Sequence, residues 1–68
     1  MQKALLKSYI VRYDKNQSKL AEAMGLSLSH LNSKINENRA SFSLKEMKFI
    51  KDRYDLSNDE FVSIFFKD

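Results

Sequence analysis

One glycine, Gly25, and no proline stand among 68 residues, and this scarcity narrows the fold more than any other feature. A many-stranded sheet needs Gly, Pro or Asn-Gly at each reversal, so the sequence predicts an all-α fold. The lone glycine must then mark a specific turn. A chain this short buries only about 60% of the surface its unfolded form exposes, so residues 1–68 are expected to form a single domain. Its stability should not exceed a few kcal/mol, which the order-of-magnitude ledger for small domains implies (~3–5 kcal/mol).

Hydrophobic periodicity and caps divide the chain into five expected helices. Residues 2–13 place Leu5 or Leu6, Tyr9, Ile10 and Tyr13 on one helical stripe, interrupted at Asp14, Lys15 and Asn16. Asn16 is an N-cap for a second helix, Gln17 to Met24, with Leu20, Ala21 and Met24 inward. Gly25 stops it where a left-handed residue is wanted. Ser27 caps a third helix, Leu28 to about Asn36, with Leu31 and Ile35 inward. Ser43–Glu46 and Ser57–Glu60 are capping boxes, each with a hydrophobic staple, Phe42 with Met47 and Leu56 with Phe61. They open a fourth helix, about Leu44 to Asp55, burying Met47, Ile50 and Tyr54. The fifth runs from Asn58 to about Phe66 and buries Phe61, Ile64 and Phe65. The remaining connections are expected to rest on Asn and Ser caps, which makes Gly25 the only left-handed turn.

The composition also excludes several classes. Without cysteine there is no disulfide framework and no thiolate metal site, which suits a reducing, cytoplasmic setting. The apolar runs are too short to span a membrane, and no leader cleavage site is expected near the N-terminus. There is no nucleophile–base–orienter set, no Gly-rich phosphate loop and no ligand cluster. No catalytic residue, metal, cofactor or small-molecule substrate is therefore expected. The net charge of +3 is uneven. Residues 1–19 hold Lys3, Lys7, Arg12, Lys15 and Lys19 against Asp14, the middle of the chain is balanced, and residues 44–68 are slightly acidic. A basic N-terminal third is compatible with a polyanion and equally with a solvated surface.

The informative stretch is Gln17–Asn36. A helix-turn-helix needs a small residue where two helices cross, a glycine at the turn and apolar residues to lock the pair. Ala21, Gly25, Leu26, Leu31 and Ile35 supply these in order. An ordinary αα-corner has the same needs. What favours DNA is the outward face of the third helix. Ser27, Ser29, His30, Asn32, Ser33 and Asn36 are short hydrogen-bonding residues in place of the long Lys/Glu pairs of a solvated face. Short polar side chains let a helix approach base edges and read them.

On these residues, Gln17–Asn36 resembles the helix-turn-helix of the lambda-repressor-like, Cro-type (XRE) DNA-binding domains, with Gln17, Ala21 and Gly25 at matching positions. Leu31–Asn36, Phe42 ahead of an acidic capping residue, and Ile64-Phe65-Phe66 further resemble small Cro-like prophage regulators of Gram-positive bacteria. The resemblance covers about residues 5–66. It implies a compact five-helix domain with the helix-turn-helix at helices 2 and 3. It also implies that Gln17 holds a backbone phosphate; Asn16 and Lys19, its neighbours in the sequence, are further phosphate candidates. Ser27, Leu28, Ser29, Asn32 and Ser33 would enter the major groove, flanked by His30 and Asn36. Asn38, Arg39 and Ser41, after that helix, would touch phosphate. Relatives carry Gln, Arg or Lys at reading positions, where this chain has Ser and Asn, so which bases are read is open. Leu28 either meets a thymine methyl or turns inward.

Lys15, Lys19, Lys34 and Arg39 each neutralise a phosphate or are merely solvated. Tyr9, Tyr13, Phe49 and Tyr54, at helical spacing, are read as core in preference to base-stacking platforms. The segment Phe61–Phe66 is apolar on more than one face, so it is either extra core of a small domain or a dimer or partner interface, for which Val62, Phe65 and Phe66 are the candidates. One recognition helix reads few base pairs, hence the expected homodimer on a double-stranded operator. The expected function is a Cro-like repressor of a temperate phage or prophage switch, acting by operator occupancy. The alternative is a module on the same scaffold that binds and modulates a co-encoded repressor.

Overall fold

The computed structural model describes residues 1–67, and among them there are five helices and no strand. These are α1 (Lys3–Asp14), α2 (Gln17–Met24), α3 (Leu28–Ile35), α4 (Leu44–Arg53) and α5 (Asn58–Phe65). The helix starts follow from local hydrogen bonds. Asn16 Oδ1 accepts from the Lys19 N–H at 3.0 Å, and Ser27 Oγ accepts from the His30 N–H at 3.0 Å. Both capping boxes close. Ser43 Oγ accepts from the Glu46 N–H while Glu46 Oε1 accepts from the Ser43 N–H, and Ser57 with Glu60 repeats the exchange. Such a cap contributes about 1 kcal/mol, a sizeable share for a domain this small. Helix α1 has no side-chain cap and begins one residue later than its hydrophobic pattern suggests.

The core combines all five helices: Leu6 and Ile10, Leu20 and Ala21, Leu31 and Ile35, Ile50, and Ile64 and Phe65. Phe42, Tyr54 and Leu56 close it from the connections. Phe42 and Phe65 meet edge to face at 5.9 Å between ring centres. Gln2 donates its N–H to the Ile64 carbonyl at 2.7 Å, tying the start of the chain to α5. Met24, Met47 and Phe61, expected inside, are only partly buried at the core margin.

Two expectations are corrected. The inward stripe of α1 is Leu6, Ile10 and Asp14, one residue per turn, so Asp14 continues the helix and is buried. Tyr13 falls to the flank, 49% exposed, stacked on Tyr54 at 5.1 Å. Gly25, with φ 71°, is also not the only left-handed position, since Lys15, Glu37, Arg39 and Asp55 have φ between 52° and 71°. Three helix ends share one closure. The N–H groups of Gly25 and Leu26 bond back to Glu22 and Ala21, those of Glu37 and Asn38 to Lys34 and Ser33, and those of Asp55 and Leu56 to Asp52 and Lys51. This paired pattern requires a left-handed residue at the turn, whatever its side chain. Glu37 and Asp55 adopt it at the steric cost glycine avoids.

Candidate nucleic-acid interface

The sequence-predicted reading residues are placed by the two ends of α3. The Gly25 turn ends α2, and the Ser27 cap starts α3 two residues later. Leu31 and Ile35 are fully buried and anchor the inner side of α3. A shallow, solvent-open hollow of about 470 Å³ covers the outer side, lined by Leu28, Ser29, Asn32, Ser33, Asn36 and Asn38. Five of these are the expected base-reading residues. The sixth, the phosphate candidate Asn38, lies beside them, its N–H bonded to the Ser33 carbonyl at 2.9 Å. Leu28 does not turn inward: it is 44% exposed on the rim of the hollow. Ser27 Oγ is engaged as the cap acceptor, which leaves its hydroxyl hydrogen to donate. His30 is exposed but lies on the flank, outside the hollow.

Lys34 is a correction. Its Nζ donates to the Ser41 carbonyl at 3.1 Å and to Glu46 Oε1 at 3.0 Å, and its side chain is only 11% exposed. It therefore braces α3 against the start of α4, with its ammonium engaged inside the fold in place of the free surface position expected. Burial pushes the Glu46 carboxyl up, but the Ser43 N–H and Lys34 outweigh it and hold the group below the usual carboxylate range. Glu46 so serves the α4 cap and Lys34 together. The same bond engages the carbonyl of Ser41, whose side chain remains exposed. Of the other phosphate candidates, Asn16, Lys19, Asn38 and Arg39 are exposed and Gln17 is half-buried at the first turn of α2. The Asn16 oxygen is committed to its cap, so only its amide hydrogens face outward as donors.

At the C-terminal end, Val62 (41%) and Phe66 (57%) are exposed as a partner interface requires. Phe65 is not. It is buried against Phe42 and Phe61, since the stripe of α5 that meets the core runs through Phe61, Ile64 and Phe65. The sequence reading also missed an apolar patch on α4. Leu44 and Phe49 are exposed there beside Lys45, Lys48 and Asp52 around a second open hollow of about 520 Å³. Its signal is present in the sequence, since neither residue falls on the stripe of Met47, Ile50 and Tyr54; Phe49, expected in the core, is 39% exposed.

Among the described residues no group of acidic or histidine side chains could hold a metal ion, and no helix is long and apolar enough to cross a membrane. Comparison with protein-family models, characterised proteins and solved structures finds no match.

Proposed function

We propose that this chain is a sequence-specific DNA-binding transcriptional regulator in which α2, the Gly25 turn and α3 act as a helix-turn-helix. The observation that carries this reading is the outer face of α3: Leu28, Ser29, Asn32, Ser33 and Asn36 form one continuous, uncharged, solvent-open surface. A helix exposed only to water gains solubility from long charged side chains. A helix that must approach base edges gains from short amides and hydroxyls, which offer donors and acceptors without blocking the approach. Exposed Lys19 and Arg39, with Asn16 and Gln17 at the N-terminus of α2, supply the phosphate contacts that position such a helix.

The regulator is of the lambda-repressor-like, Cro type, and a homodimer reads a two-part operator. Occupancy of that operator blocks polymerase in a temperate-phage or prophage switch. The role needs neither a cofactor nor a catalytic residue. A second reading rests on exposed Val62 and Phe66: a module that binds and modulates a co-encoded repressor. Titration of the protein against the DNA flanking its own gene, at two salt concentrations and beside an Asn32→Ala/Ser33→Ala variant, separates the two. Sequence-dependent binding that falls with salt and is lost in the variant supports the regulator. Binding indifferent to sequence and variant, with a co-encoded repressor retained instead, supports the module.

A further inference from the structure

Resting on the DNA-reading role, we infer that the face of α3 selects A·T base pairs, through Asn32 on adenine and Leu28 on a neighbouring thymine methyl. The hollow lacks the groups that read guanine. Guanine is read in the major groove chiefly by Arg or Lys, which donate to its O6 and N7 acceptors. No cation lines this hollow. The single lysine of α3 is held by Glu46 and the Ser41 carbonyl, and the exposed His30 stands outside the hollow.

What the hollow contains points the other way. A carboxamide presents one donor and one acceptor side by side. Facing adenine, its NH2 donates to N7 while its oxygen accepts from the N6 amine. Turned to guanine, the same group sets its oxygen against O6, acceptor against acceptor. Asn32 on α3 and Asn36, its C-cap, are four residues apart, with Asn38 at the rim, so every amide on the face carries this preference. Leu28, one turn before Asn32, is the one apolar group of the hollow and is 44% exposed. The C5-methyl of thymine is the one apolar group that base pairs offer in the major groove. One helical turn advances about 5.4 Å, within two base-pair steps, so both contacts fall on one short A·T run. The hydroxyls of Ser29 and Ser33 donate or accept equally and set no preference.

The test uses the full chain and a random-sequence duplex pool, followed by modified duplexes of the selected site. The expected result is a selected motif whose determining positions are A·T. Changing the adenine read by Asn32 to guanine should weaken binding roughly 5- to 150-fold. Replacing the thymine under Leu28 by deoxyuridine, which removes only the methyl, should weaken it about 4-fold. Asn32→Ala should abolish the response to the first change and Leu28→Ala the response to the second. Both variants alter exposed side chains, and circular dichroism confirms that each is folded. A selected motif with G·C at the determining positions, or variants that respond to the changes as the parent does, overturns the inference while leaving the DNA-reading role intact. Failure to select any motif overturns that role itself.

Discussion

Asp14, the last residue of α1, accepts hydrogen bonds from the Arg53 guanidinium at the end of α4, with Nε 3.1 and 3.2 Å from its two oxygens and Nη2 at 2.6 Å. Tyr54 donates its hydroxyl to the same carboxylate. A carboxylate at a helix C-terminus meets the negative end of the helix dipole, and this one is also buried. Its partners reverse the balance. The Arg53 hydrogen bonds, with help from Tyr54, hold Asp14 below the usual carboxylate range against its burial. Burial and the Asp14 contact push the Tyr54 hydroxyl far up. Two helix ends distant in the chain are thereby joined.

This contact makes the fold acid-sensitive. A carboxyl whose folded pKa lies below its unfolded value of about 3.9 contributes stability that is present above that value and lost as pH falls through the folded pKa. The Glu46 and Glu60 carboxyls, also held low, add in the same direction. Urea unfolding should therefore show a midpoint that drops between pH 5 and pH 2 (roughly the window of carboxylate linkage). Asp14→Asn should be less stable at neutral pH and show a shallower drop. An unchanged slope in Asp14→Asn would remove Asp14 from the account.

Two adjacent phenylalanines should behave differently. Phe65 fills the core, so Phe65→Ala should cost about 3–5 kcal/mol, enough to unfold most of the population. Phe66 is 57% exposed, so Phe66→Ala should cost less than about 1 kcal/mol. Thermal unfolding followed by circular dichroism measures both. Equal losses would mean that the two rings share one environment.

The turns give a prediction with opposite signs. Beyond its two chain neighbours, nothing lies within 4 Å of a Cβ added at Gly25, so Gly25→Ala should cost only the left-handed strain, about 1 kcal/mol. Asp55 holds φ 52° as an ordinary residue, and Asp55→Gly should stabilise by about 0.5–1 kcal/mol, a rise of several degrees in Tm. A lower Tm for Asp55→Gly would assign the aspartate a role beyond backbone strain.

The lysines separate by duty. Lys34→Ala should lower stability and leave the salt dependence of DNA binding unchanged, because its ammonium is engaged inside the fold. Lys19→Ala and Arg39→Ala should leave stability nearly unchanged and each reduce the slope of log K against log salt by about 0.9. Fluorescence anisotropy across a salt series reads these slopes. A reduced slope for Lys34→Ala would show that its ammonium leaves Glu46 on DNA.

Features set by neighbours in the chain were legible without coordinates. Asn16, Ser27, Ser43 and Ser57 act within three residues of themselves, so the starts of α2 to α5 are written locally. The face of α3 was legible for the same reason, since Leu28, Asn32 and Asn36 follow from helical spacing alone. Features set by distant partners were not. Asp14 reads as a break until Arg53, 39 residues away, is brought to it. Lys34 reads as a surface cation until the loop folds Ser41 and Glu46 over it. Phe65, the last residue of α5, and Phe66, its C-cap, differ in which of them the core takes.

The exposed side chains of Leu28, Ser29, Asn32 and Asn36 make no hydrogen bond with another side chain among the described residues, while Leu31 and Ile35 between them are sealed in the core. The core contacts and the outward face thus occupy opposite sides of α3 and its C-cap. Substitutions on the outer positions should change stability by no more than about 0.5 kcal/mol. A domain with only a few kcal/mol in reserve can accordingly drift through many versions of that face without unfolding, so evolution, or a combinatorial library, can give it a new target while the scaffold stays the same.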